Sequence, residues 1–164
     1  MNWPYIHTLI NHFPIILTVV GTAVLFLALI VKHRAAWLYA LATLTLAGAS
    51  VYPAFYTGGA AAHALRDTWY VVRAMVEEHD QSASYALVAI LVMGAVSAYA
   101  WRRMLRRDVA GIPPIWLRVV VTLLAVFGLS VVTRTAYLGG KIIHESPKLA
   151  HPPANVGPAS VPPR

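Results

Sequence analysis

Four stretches of the chain contain no Asp, Glu, Lys or Arg: Met1 to Val31, Ala35 to Leu65, Gln81 to Trp101 and Val119 to Thr133. Helices that face water are rarely so bare. A bilayer core about 30 Å thick takes roughly 17 to 25 apolar residues per helix, so the first three stretches are long enough alone and the fourth needs its flanks. The pattern predicts four spans. The first covers about Phe13 to Val31, with Pro14 in its opening turn and Lys32-His33-Arg34 as its stop. The second covers about Ala36 to Tyr56, where Pro53 predicts a kink and Gly58-Gly59 an end or a loosening. Arg66 to Asp80 mixes apolar and charged positions at near-helical spacing, which suits a surface segment or an outward extension of the third helix, Ala83 to Trp101. The sequence GIPP then turns the chain into a fourth span from about Pro114 to Tyr137.

Composition supports the same class. Of 164 residues, 59% are apolar and 12% charged, about half the charge of an average soluble domain, and the mean hydropathy is +0.63. The net charge of +7 sits in short loops, so it reads as a signal for orientation rather than for nucleic acid. Lys32 and Arg34, then Arg102, Arg103, Arg106 and Arg107, outweigh Arg66 and Arg73 of the middle loop, which also holds Asp67, Glu77, Glu78 and Asp80. The first and third loops are therefore expected in the cytoplasm, with both termini outside: the periplasm, for a bacterial inner membrane. The opening residues have no Lys or Arg and no small-residue cleavage site after the apolar run, so they read as part of the first span and not as a cleavable signal.

The expected organisation is an all-α, integral membrane four-helix bundle over residues 1–146 and a disordered, Pro-rich tail over 147–164. Gly21, Ala47-Gly48-Ala49-Ser50, Gly94 and Ser97 suit close packing of membrane helices. No internal repeat stands out.

The absence of Cys excludes disulfides, thiolate metal sites and the thioether attachment of a c-type haem. The histidines are the informative residues. His7, His12, His63, His79, His144 and His151 all map to the outer end, leaving His33 alone on the other side. At 1.5 Å per residue, His12 stands about 29 Å from Val31, His79 about 36 Å from Arg103 and His144 about 45 Å from Pro114, so the imidazoles reach similar levels. His33, in a basic loop, and His151, in the tail, read as structural only. Tyr52, Tyr56, Gly59 and His63 share one helix face, and Arg134, Tyr137, Lys141 and His144 another. Tyr52 and Tyr56 also suit an interfacial aromatic belt. Arg134 lies about 15 Å below His144, a depth that calls for a partner inside the bundle, and no span carries an internal carboxylate.

A b-type haem would meet these requirements, taking imidazoles as axial ligands and Arg134, Lys141 or Tyr137 as propionate partners. His12, His79 and His144 are the first ligand candidates, then His7 and His63; four imidazoles leave room for one haem or two. The expected function is single-electron transfer between a membrane quinol and an external, periplasmic redox partner. Two alternatives stay open. One is a non-haem metal enzyme using His12, His79, His144, His63 and Glu78 or Glu145. The other is a cofactor-free anchoring subunit of a larger complex or homo-oligomer. No nucleic-acid partner is expected, and four helices without an intramembrane acid or paired broken helices argue against a transporter.

The stretch H-T-L-I-N-H-F-P-I, His7 to Ile15, resembles the opening H-P-x-x-V-H-F-P-I of a family of small bacterial membrane proteins known mainly as a domain of unknown function. Glu77 to Ala83, E-E-H-D-Q-S-A, resembles that family's E-x-H-E-x-A before its third helix. Thr135 to Glu145 resembles the closing T-x-x-L-G-G-K-I-R-H-x-E of related small membrane proteins. Thr8, Asn11 and Ile143 depart from the pattern. The resemblance spans residues 5–146 and implies four helices with histidines at one membrane face.

Overall fold

The computed structural model describes residues 1–66, 68, 71–106 and 111–145, apart from the side chains of Ile143 and Glu145. The Pro-rich tail, His151, Asp67 and Arg107 lie outside the described residues. Every element among the described residues is helical: α1 (Trp3–Ile10), α2 (His12–Val31), α3 (Arg34–Ala64), α4 (Arg73–Leu105) and α5 (Ile115–Glu145).

α1 and α2 together make one apolar run long enough to cross a membrane, interrupted at Asn11. The interruption has a local cause. Pro14, in the first turn of α2, has no N–H to give the Ile10 carbonyl four residues back, so the helical ladder lapses there. α3, α4 and α5 contain the other three stretches long and apolar enough to cross. α2 packs on α3, α3 on α4 and α4 on α5, and α2 meets α5 to close a four-helix bundle, while α1 lies against α3. One end holds α1, the α3–α4 connection and the end of α5, and with them most of the histidines; we call it the histidine end. The other holds the two-residue turn at Lys32-His33 and the α4–α5 connection, and is the arginine end.

Three helices outrun their apolar cores. α3 continues past Tyr56 and Gly58-Gly59 to Ala64, because Ala60, Ala61 and Ala62 favour helix most strongly and the segment is backed by α1. α4 begins ten residues before Ala83. Its first turns are amphipathic: Met75, Val76, His79 and Ser82 turn inward while Arg73, Glu77, Glu78 and Asp80 are exposed. α5 passes through Gly139-Gly140 to Glu145.

The packed centre is made by Leu25, Trp37, Leu41, Leu44, Ile90 and Met93, all fully buried. Phe13, Ile16, Phe26, Leu123 and Phe127 face outward, giving the bundle an apolar outer surface. α3 and α4 meet where a Cβ on Gly48 would stand 2.7 Å from the Gly94 Cα. The stripe of small residues is therefore used for backbone-to-backbone approach. At the arginine end His33 caps α3, its Nδ1 accepting from Ala35 N–H at 3.3 Å, and Arg34 donates to the carbonyls of Met104 and Gly111, tying down the α4–α5 connection.

Candidate functional site

Among the described histidines, two differ from the others. His7 in α1 is half-buried, with Nδ1 3.1 Å from the Ala54 carbonyl and 3.3 Å from the Thr57 hydroxyl of α3. His79 in α4 is half-buried, with Nδ1 3.0 Å from the Thr135 carbonyl of α5. A carbonyl oxygen only accepts, so each Nδ1 must carry the proton. In the neutral ring that leaves Nε2 as the lone-pair nitrogen, the one able to bind a metal. Both rings stand at the histidine end of the bundle, on two helices that do not pack extensively together.

The two settings are built alike. Each acceptor carbonyl lies one helical turn before a glycine on which the imidazole rests: Ala54 before Gly58, and Thr135 before Gly139. A Cβ on Gly58 would come within 3.0 Å of His7 Cε1, and one on Gly139 within 3.1 Å of His79 Cε1. The sequences around them match, A-F-Y-T-G-G-A-A-A-H from Ala54 to His63 and T-A-Y-L-G-G-K-I-I-H from Thr135 to His144. The bundle thus contains a short internal repeat, Y-x-G-G-x-x-x-H, that escapes a reading by helix face. The two stripes noted above begin at Tyr52 and Arg134, which are out of register with each other. Within the repeat the halves differ in their side-chain contacts: Thr57 reaches His7, while its counterpart Leu138 is buried and Thr135 bonds the Ser82 hydroxyl at 2.8 Å.

The remaining candidates are arranged differently. His12 is exposed, and its Nδ1 donates at 2.7 Å to Thr8 of the preceding turn. His63 and His144 are exposed; each is five residues past its seat glycine, about 140° around the helix from it. Level along the bundle ranked His12, His79 and His144 first, but burial and partners single out His7 and His79. Arg134 turns outward, not into the bundle, with its side chain 66% exposed and Nη2 4.0 Å from Glu78 Oε1. The carboxylate missing from the apolar runs is supplied by the early start of α4, and such an open pair contributes at most about 1 kcal/mol. Lys141 Nζ stands 6.0 Å from the Tyr137 ring centroid, and Tyr137 is exposed. Tyr56 meets Trp3 edge to face at 6.2 Å, joining α1 to α3 near His7. Among the described residues no three of His, Asp and Glu gather closely enough to hold a metal ion.

No family model matches the chain, and comparison with curated proteins and with solved structures finds no significant match.

Proposed function

We propose that the protein is a membrane-embedded, cytochrome b-like electron carrier, with one haem b at the histidine end and His7 and His79 as its axial ligands. One observation carries this reading: two half-buried imidazoles on different helices, each with Nδ1–H given to a carbonyl of a neighbouring helix. Metal-bound histidines almost always hold their second nitrogen this way, because the hydrogen bond orients the ring and raises the basicity of the other nitrogen. Two such ligands suit haem better than a bare ion, since the macrocycle brings four nitrogens of its own and a bare ion would need a third protein donor. When bound, haem supplies reversible one-electron chemistry. With His7 and His79 both bound to it, the haem iron would have no open site for oxygen or substrate, which favours electron transfer over catalysis.

Lys32, Arg34, Arg102, Arg103 and Arg106 mark the arginine end as cytoplasmic by the positive-inside bias. The haem then lies near the periplasmic face of a bacterial inner membrane, with both termini on that side, between a quinol donor in the bilayer and an external one-electron acceptor. The test is an optical spectrum and pyridine haemochrome of protein purified from haem-replete cells. Wild type, His12→Ala, His63→Ala and His144→Ala should show a sharp reduced α band, while His7→Ala and His79→Ala should lose it. A folded wild-type protein without that band, or one whose band survives both latter changes, overturns the proposal.

A further inference from the structure

We infer that Gly58 and Gly139 are positioning residues that fix the planes of the two axial imidazoles; the inference rests on the haem reading above. Each ring is held at two points. Nδ1 is tied to the carbonyl at Ala54 or Thr135, and Cε1 rests on the backbone of the glycine one turn further along the same helix face. Cε1 is the ring atom between Nδ1 and Nε2, so anything that lifts Cε1 swings Nε2 about the anchored nitrogen. A methyl group on either glycine would be tighter than ordinary van der Waals contact and would force the ring to yield by a few tenths of an ångström. The angle between the two imidazole planes is thereby set by two backbone notches.

The sequence contains its own control. Glycine inside a helix weakens it relative to alanine, yet each half carries two in a row. The second of each pair, Gly59 and Gly140, has nothing within 4 Å of a built Cβ. The first glycine serves the histidine and the second does not.

The experiment compares Gly58→Ala and Gly139→Ala with Gly59→Ala and Gly140→Ala, by electron paramagnetic resonance of the ferric protein and by redox titration. The seat variants should remain low-spin but bind haem severalfold more weakly, with a shifted largest g value and a shifted midpoint potential. The outer-glycine variants should superimpose on wild type. Seat variants identical to wild type, or four variants shifted alike, overturn the inference while leaving His7 and His79 as ligands; loss of no haem on His7→Ala and His79→Ala overturns the haem reading instead. Histidine-selective 15N NMR of haem-free protein tests the seat separately. His7 and His79 should be protonated at Nδ1 in wild type and should mix tautomers in the seat variants, whereas an Nε2–H form in wild type refutes the seat.

Discussion

A hydrogen bond to a carbonyl does more for a histidine than hold it, because it decides which nitrogen keeps a lone pair. His12 illustrates the difference between that decision and a fixed position: its Nδ1 is also committed to a carbonyl, but only one turn back along the chain and in the open, so no neighbouring helix fixes where Nε2 points. His7 and His79 are anchored across helices. Other buried polar atoms are less well served. The hydroxyls of Thr18, Thr22 and Ser97 are buried without a hydrogen-bond partner, in the packed body of the bundle. A buried hydroxyl left unpaired costs about 1–3 kcal/mol, and replacing it with a methyl group of the same shape removes that cost. Thr18→Val and Thr22→Val should therefore leave thermal unfolding in detergent unchanged or raise stability by about 1 kcal/mol; a clear loss would mean that these hydroxyls have partners in the membrane.

Small residues let α3 and α4 approach backbone to backbone, the kind of contact on which helices in lipid depend. Gly48 and Gly94 face each other backbone to backbone, with a Cβ on Gly94 only 2.6 Å from the Gly48 Cα. Gly94→Leu should separate α3 from α4 and destabilise the bundle by about 1–3 kcal/mol or more, measured by denaturation in mixed micelles; an unchanged midpoint would show that the crossing yields freely. The long apolar parts of these elements were legible because charge-free length is a strong signal. Their ends were not. α4 gains ten residues from an amphipathic segment whose inward face, His79 included, becomes an inward face only beside α5. Glu78 rides on the same extension and meets Arg134, a pairing that no charge-free run could reveal.

At the scale of the molecule, two helix pairs are built alike, α1 with α3 and α4 with α5, each placing one histidine on a Y-x-G-G segment. The absence of native cysteine makes its orientation directly testable. Single cysteines at Ala74, near the histidine end of α4, and at Ala35, at the arginine end of α3, should react with a membrane-impermeant thiol reagent in intact cells at the first site and not at the second. The reverse pattern would put the histidines in the cytoplasm and remove the external electron acceptor from the proposal. Charge-free length, basic loops and the absence of thiols were enough to determine an all-helical chain with four potential crossings and a histidine-rich end, because each depends only on the cost of moving a side chain between water and hydrocarbon. Which imidazoles are half-buried and anchored across helices was decided by tertiary structure. Ring orientation depends on a carbonyl and a missing Cβ on another helix, and such partners are brought together only by packing, about fifty residues away along the chain for His7 and His79 alike.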